Sequence, residues 1–365
     1  MLVLHVGPHK TGTTYLQANF KQQRSDLLKR GWLYPALGVR TGLAHHEIVE
    51  HADQIVSGSG RVFDDVAAVA REARAKQLNV LLSAEGFRRW RPRKIEALAR
   101  MFGERQLRIV YVLRDPIAVV RSMWAQSVKL GGTDPLPRFL ARHVRDPARS
   151  RLLNPLRDLK PHLRRDVADF TILLYDEIVG RGLDLYSAFA SEALELNDIA
   201  PTAASANARQ PLEATEFLRL LSTVGGYVSR PGRLDVGDAV RLLFSPEERE
   251  EIVATIRERG AGARRRVAVS RHTAHYAKLQ AELLELVGPH LRPRPEGERL
   301  FPSDPETWDY YEADALMRVP EVARLVGRAS RSMGRTGVRL AVMNGGLQAV
   351  MAGRRLRNLV AARLP

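Results

Sequence analysis

The sequence predicts an α/β protein in three layers, with a central parallel sheet between two layers of helices. Two observations lead to this prediction. Short, wholly apolar segments typical of buried strands alternate with segments of helical periodicity. The first apolar segment, residues 2–6, runs directly into a glycine-containing polar loop and then a helix, which is how parallel sheets usually begin.

The predicted elements follow in order along the chain. Strands are expected at 2–6, 79–83, 107–113 and 170–174, and helices at 12–30, 64–76 and near 94–102. The part of the chain after about residue 200 is mainly helical in pattern, with few strand candidates beyond residue 212. We therefore expect the sheet to lie in the first half of the chain, with additional helices following it.

Two regions are predicted, an α/β domain over residues 1–320 and a basic, helical extension over 321–365. Five arginines of the extension recur at helical spacing: Arg324, Arg328, Arg331, Arg335 and Arg339. An accessory helix with a solvated arginine face is one interpretation, and it is slightly favoured. The other is a basic amphipathic segment that contacts a membrane surface or an acidic partner.

Composition limits the classes of protein to consider. The net charge of +16 favours anionic partners, such as nucleotides, acidic glycans, nucleic acid or anionic lipid. The chain has no cysteine, which excludes disulfides, thiolate metal sites and a cysteine nucleophile. The start lacks the pattern of an export signal, and no stretch reaches about 18–20 apolar residues. These features predict a cytoplasmic protein, with contact at the inner face of the membrane as a further hypothesis.

The segment with the clearest chemistry is the loop His-Val-Gly-Pro-His-Lys-Thr-Gly-Thr-Thr at residues 5–14, between the first strand and the first helix. Glycines allow a tight turn, and the free N–H groups and dipole of a helix start attract an anion. Lys10 adds a positive charge and the threonines add hydroxyl donors. The candidate anion-binding residues are His9, Lys10, Thr11, Gly12, Thr13 and Thr14.

The loop departs from the G-x-x-x-x-G-K-[ST] pattern of nucleoside triphosphatases. Gly7 and Gly12 have the required separation, but Thr13 stands where the lysine should follow, and the lysine is at position 10. The chain also lacks an apolar strand that ends in an aspartate suited to magnesium. The strand at 107–113 is followed first by Arg114, which suits an anion better.

Residues 10–14, Lys-Thr-Gly-Thr-Thr, resemble the 5′-phosphosulfate-binding loop of sulfotransferases that use 3′-phosphoadenosine-5′-phosphosulfate (PAPS). The preceding Gly-Pro-His is similar to bacterial members of that family. The resemblance implies a fold similar to P-loop nucleotide-binding proteins, PAPS as co-substrate and no metal. It also implies an acceptor with a hydroxyl or amine, in a carbohydrate, glycolipid or other small molecule, and no nucleic-acid partner.

The family has a second motif, an arginine at a strand end with a serine eight positions later, which binds the 3′-phosphate. Arg114 and Ser122 stand in these positions of the present chain. The physical chemistry agrees, because a guanidinium presents a planar fork to a phosphate and a serine hydroxyl can donate a further hydrogen bond. The resemblance therefore assigns Arg114 and Ser122 to the nucleotide.

Sulfuryl transfer requires a cation near the leaving oxygen and a base for the acceptor proton. Lys10 suits the first role. Glu85, which follows the predicted strand 79–83, is the first candidate for the base, and several glycan sulfotransferases resemble it in using a glutamate there. His45 or His46 is the second candidate and His9 the third. For each of these groups an ordinary structural role is an open alternative.

Acceptor contacts could come from a further set of side chains: Trp32, Tyr34, Trp90, Trp124, Gln126 and Lys129. Aromatic rings pack against sugars, but they are more often part of the core. Two rival functions remain. One is a P-loop kinase or nucleoside triphosphatase, and the other is a non-catalytic protein that binds nucleic acid or a membrane surface through its arginines.

Overall fold

The computed structural model describes residues 1–37, 43–103, 106–163, 168–202, 210–226, 235–295, 297, 299–302 and 305–333. Eight strands occur in this part of the chain: β1 Leu2–His5, β2 Trp32–Leu33, β3 Asn79–Ser83, β4 Leu107–Leu113, β5 Asp169–Leu174, β6 Arg264–Val269, β7 Leu291–Arg292 and β8 Glu306–Tyr311. Six of them form one sheet in the order β2-β3-β1-β4-β5-β7, and β6 pairs with β8 in a second sheet. Every neighbouring pair in the six-stranded sheet is parallel, as the sequence predicted.

Helices connect the strands. Those bounded within the described residues are α1 Thr13–Gln22, α2 Arg24–Lys29, α3 His46–Glu50, α4 Ala52–Ser57, α5 Arg61–Ala75, α6 Pro92–Met101, α7 Pro116–Lys129, α8 Leu136–Val144, α9 Leu156–Leu163, α10 Tyr175–Gly180, α11 Leu185–Leu194, α12 Leu212–Gly225, α13 Val236–Leu243, α14 Pro246–Arg259, α15 Ala274–Val287 and α16 Ala313–Met317. Ala84 follows β3, and a 3₁₀ turn over Glu85–Arg89 begins at the next residue.

The parallel sheet carries helices on both faces, because alternate residues of its buried strands point in opposite directions. Val110 and Val112 of β4 belong to a buried cluster with side chains from α1 and α11. Ile109, the residue before Val110, instead borders a cavity lined by residues of α6 and α9. The α/β architecture with a central parallel sheet is thus confirmed, and its wholly apolar strands are explained by burial on both sides.

The strand order places a topological switch between β1 and β4. The chain leaves β1 towards β2 and β3 on one side, and it leaves β4 towards β5 on the other. In open α/β sheets, ligands bind in the crevice beyond the carboxyl ends of such strands. The loop after β1 and the turn after β4 begin at this edge.

The chain divides into two compact units. The first contains the parallel sheet and comprises Met1–Met123, Leu140–Arg209 and Val269–Glu306. The second comprises Trp124–Phe139, Gln210–Ala268 and the chain from Thr307 onward. Neither unit begins or ends at residue 320, which the sequence suggested as a boundary, and most of the predicted extension at 321–365 lies outside the described residues.

The structure refines two local predictions. The helix predicted over 12–30 is two helices, α1 and α2, because the chain leaves helical geometry at Gln23, whose side-chain amide donates to the carbonyl of Ala200 at 2.9 Å. Strands β6, β7 and β8 fall in the part of the chain that was expected to be helical. Of these, β7 is only two residues long, too short for a periodic signal, yet it completes the parallel sheet beside β5.

The start of the basic C-terminal segment is helical over residues 320–333. Val322, Val326 and Ala329 are fully buried within the second unit, while the side chains of Arg324 and Arg328 are 76% and 55% exposed. This arrangement favours the accessory helix with a solvated arginine face. Arg335 and Arg339, on which the membrane hypothesis also drew, lie outside the described residues.

The second unit contains a buried ion pair. Arg219 donates from Nε to Glu216 Oε2 at 2.6 Å, and both side chains are at most 2% exposed. The other carboxylate oxygen accepts the backbone N–H of Tyr311 in β8, and an Arg219 Nη2–H reaches the Tyr311 carbonyl. Burial raises the pKa of Glu216, and the neighbouring arginine opposes that rise.

We predict that Arg219→Met destabilises the protein by about 3–5 kcal/mol, because it leaves the Glu216 carboxylate buried without its cation. Urea denaturation measures the free energy of unfolding. The double variant Arg219→Met/Glu216→Leu should recover most of the loss, since it removes both charges. Equal stability of the single variant and the wild type would contradict this account.

Candidate functional site

Four neighbouring parallel strands end at one edge of the sheet, and each is followed by a candidate functional group. Glu85 follows β3, the glycine-containing loop follows β1, Arg114 follows β4, and Asp176 lies in α10 directly after β5. The parallel register aligns the carboxyl ends of these strands. Groups that are far apart in the sequence are thereby brought to one edge.

The loop after β1 has the backbone form of an anion cradle. Gly7, Lys10 and Gly12 all have positive φ, at 89°, 70° and 81°, and Gly12 precedes the first residue of α1. No side chain caps α1, which leaves the first N–H groups of this helix to an incoming anion. A side chain at Gly12 would be strained by the positive φ, and its Cβ would lie 2.4 Å from Leu185 Cδ2, which would have to shift.

The threonines of the loop have different roles. Thr11 is buried and donates to the Pro8 carbonyl at 2.7 Å, which closes the turn. Thr13 is 4% exposed and donates to Glu85 Oε1 at 2.6 Å. Thr14 is exposed. Only Thr14 therefore keeps its hydroxyl in solvent for a ligand, while Thr13 links the loop to the carboxylate after β3.

Glu85 is a buried carboxylate, 7% exposed, held between the loop and α3. His9 Nδ1 lies 3.9 Å from Oε1, and His46 Nε2 lies 3.9 Å from Oε2. Within the described residues, Oε2 accepts no hydrogen bond. Burial alone would raise the pKa of Glu85, but the Thr13 hydrogen bond, helped by a backbone hydrogen bond and the two histidines, holds it below its usual value. Glu85 is thus ionised at neutral pH, and its Oε2 is a buried acceptor without a donor among the described residues.

The three candidate histidines occupy different environments. His45 is fully buried, with Nδ1 at 3.0 Å from the Ser83 backbone nitrogen and Nε2 at 3.1 Å from the Pro35 carbonyl oxygen. Burial lowers the pKa of His45 to about 4. These contacts favour a structural role for His45, which holds the segment before α3 against β3. His9 and His46 are partly exposed and face Glu85 instead.

Arg114 connects the turn after β4 to the loop after β1. Its Nη1 donates to the Lys10 carbonyl at 2.6 Å, and its guanidinium lies 4.6 Å from the centroid of the Tyr175 ring. Its Nε is 3.8 Å from Asp176 Oδ1. The sequence predicted Arg114 as an anion-binding residue, but not its contact with the backbone of the loop. Ser122 is half-buried in α7.

Asp115 holds the start of α7, and sequence reasoning did not single it out. It accepts the backbone N–H groups of Ile117 and Ala118, and the hydroxyl of Tyr276 donates to it at 2.6 Å. A buried arginine, Arg271, forms an ion pair with it. The Asp-Pro pair before α7 is a common helix-start pattern that signals the cap. The partners 156 and 161 residues later leave no such local signal.

A small pocket of about 20 Å³, which opens to solvent, lies between the β1 loop and the end of β4. Pro8 and His9 line one side, and Tyr111 and Arg114 line another. Arg88 and Arg151 complete a set of three arginines around it, and neither was predicted. The pocket lies at the topological switch of the sheet, where ligand sites are expected.

The aromatic residues considered as acceptor contacts are buried. Trp32, Tyr34, Trp90 and Trp124 are each at most 5% exposed. Such burial favours packing over contact with a substrate. Among the described residues, no three or more His, Asp or Glu side chains cluster in a way that would hold a metal ion. Nor does any helix of these residues have the length and apolar character to cross a membrane.

Comparison with known proteins adds nothing to this geometry. No family model matches the chain, and no curated protein or solved structure is significantly similar to it.

Proposed function

We propose that this protein is a PAPS-dependent sulfotransferase with a P-loop-type nucleotide site at the β1 loop. The observation that supports it best is the hydrogen bond from Arg114 to the Lys10 carbonyl, which joins two anion-binding motifs 104 residues apart in sequence. A donor with phosphates at both its 5′ and 3′ positions needs two such centres side by side. The resemblance of residues 10–14 to the family's loop and of Arg114 and Ser122 to its second motif agrees with this pairing.

The residues present suit the donor. The uncapped start of α1, the exposed Thr14 and Lys10 would hold the 5′-phosphosulfate. Arg114 would hold the 3′-phosphate, together with the Ser122 hydroxyl. When bound, PAPS supplies a sulfuryl group, whose transfer makes a bond from sulfur to the acceptor oxygen or nitrogen and breaks the bond from sulfur to the bridging phosphate oxygen.

The remaining chemistry belongs to side chains of this protein. Glu85 takes the proton that the acceptor hydroxyl or amine loses. The Lys10 ammonium offsets the negative charge that develops on the leaving phosphate oxygen. The acceptor that we propose is a carbohydrate or glycolipid.

We expect Lys10→Ala to lower kcat by roughly 10²–10³-fold, the scale of losing one transition-state donor. The fold should be unaffected, because Lys10 is partly exposed and its backbone contact to Arg114 is kept. Transfer of labelled sulfate from PAPS to a panel of sugars measures the rate. Lys76→Ala, which removes an exposed lysine paired with Glu72, is the matched control. An unchanged rate in Lys10→Ala would remove the lysine from the mechanism.

We predict that Arg114→Ala weakens binding of 3′-phosphoadenosine-5′-phosphate by about 1.5–3 kcal/mol, the value of a charged hydrogen bond. Calorimetric titration without magnesium measures this, with ADP as the ligand that lacks the 3′-phosphate and ATP with magnesium as the triphosphatase control. Arg138→Ala, at a 75% exposed arginine, should leave affinity unchanged. If ADP binds as tightly as 3′-phosphoadenosine-5′-phosphate, or if ATP with magnesium binds more tightly, the protein is better explained as a P-loop kinase or nucleoside triphosphatase.

Glu85→Gln should lower kcat by about 10²–10⁴-fold with little change in nucleotide affinity, because it removes the general base and keeps the Thr13 contact. In the wild type, kcat should persist below the usual pH range of a carboxyl group and fall as Glu85 is protonated, since its pKa is lowered. The variant should lack this acidic limb. Wild-type rates in Glu85→Gln would move the role to His46 or His9.

A further inference from the structure

Three arginines line the pocket beside Glu85, and the proposed nucleotide site uses only one of them. Arg114 lines the pocket and is also part of the proposed nucleotide site, whereas Arg88 and Arg151 are assigned no role in that site. Arg88 lies in the 3₁₀ turn that begins with Glu85, and Arg151 lies just before α9. The proposed nucleotide site therefore does not explain why these two guanidinium groups lie at the edge of the pocket.

The charges of this arginine pair are not balanced. Arg88 Nη1 donates to Asp158 Oδ2 at 2.9 Å, and Arg151 Nη1 donates to Asp158 Oδ1 at 2.6 Å. Both cations thus share one carboxylate, and one positive charge is left over. The side chains of Arg88 and Asp158 are 4% and 1% exposed, so water screens this excess poorly. Arg151, at 42% exposed, lies nearer to solvent.

The same pocket contains hydrogen-bond donors with no acceptor. The Nε atoms of Arg88 and Arg114 are buried, and among the described residues neither donates a hydrogen bond. A buried donor left unsatisfied is costly and uncommon in a folded protein. An oxyanion in the pocket would balance the excess charge of the arginine pair.

The pocket adjoins the proposed base. His9 lines the pocket, and its Nδ1 is 3.9 Å from Glu85 Oε1. Glu85 must contact the acceptor to take its proton, so a group bound in the pocket lies on the acceptor side of the site. The position of the pocket therefore favours a subsite for part of the acceptor.

We propose that the acceptor carries an oxyanion, a carboxylate or a phosphate, which binds to Arg88 and Arg151 in this pocket while Glu85 faces the group to be sulfated. This inference rests on the proposed function and narrows its acceptor to an acidic sugar. Guanidinium groups suit both oxyanions, because their planar fork binds two oxygens at once.

The test uses the full-length protein saturated with 3′-phosphoadenosine-5′-phosphate, and calorimetry measures the binding of three sugars. A tetrasaccharide of alternating glucuronic acid and N-acetylglucosamine supplies a carboxylate, and glucosamine 6-phosphate supplies a phosphate. N-acetylglucosamine tetrasaccharide is the neutral comparison. We expect at least one acidic sugar to bind roughly tenfold or more tightly than the neutral one, which is the scale of one charged hydrogen bond. The better of the two identifies the oxyanion.

Arg151→Gln should reduce that preference by about fivefold or more, and Arg151→Lys should retain part of it, because the charge stays while the fork is lost. Arg149→Gln is the matched control, since its side chain is 88% exposed two residues away and does not line the pocket. Arg151 is half-exposed, so folding of its variants is expected to persist, and their melting temperature checks this.

The outcomes separate the two proposals. Failure of 3′-phosphoadenosine-5′-phosphate to bind the wild type would overturn the proposed function. Normal nucleotide binding without preference for either acidic sugar would overturn the acceptor inference alone. If Arg151→Gln instead weakens nucleotide binding as much as Arg114→Ala does, the pocket belongs to the nucleotide and the inference is likewise overturned.

Discussion

The hydrogen bond from Arg114 to the Lys10 carbonyl is the contact on which the proposed site depends. It holds a lysine at positive φ in a loop whose turn is closed by Thr11 and bounded by Gly7 and Gly12. Arg114 is itself held in place by the Tyr175 ring and by Asp176, which both follow β5. An anion cradle made of backbone N–H groups works only if its conformation is present before the ligand arrives, because reorganisation would cost binding energy. The arginine thus shapes the loop as well as adding charge.

The second constraint is the carboxylate of Glu85. Burial would favour its neutral form, yet the Thr13 hydroxyl and the nearby histidines keep its pKa low. A low pKa keeps the carboxylate ionised, and so in the form that can accept a proton, throughout the neutral pH range. The hydrogen bond to Thr13 also joins the proposed base to the loop that would bind the donor.

Much of the fold could be predicted because the strands of a parallel sheet are buried on both faces and are therefore apolar along their whole length. Strands β1, β3, β4 and β5 lie within a residue of their predicted positions for this reason. The break at Gln23 could not be predicted, since it involves the carbonyl of Ala200, far along the chain. The two-residue β7 likewise has no periodicity of its own and is a strand only because β5 offers an unpaired edge.

The sequence alone determined the local elements of the site: a lysine-bearing loop between strand and helix, an arginine after β4 and a glutamate after β3. Their chemistry depends on residue type and on neighbours a few positions away, so a short stretch of sequence is enough to recognise them. Only the tertiary structure decided how they meet. It buried His45 against backbone groups, turned Thr13 towards Glu85, and brought Arg88 and Arg151 together around Asp158. The reason is that parallel strands align residues from distant segments at one edge, and that pairing of strands is not encoded in any one of those segments.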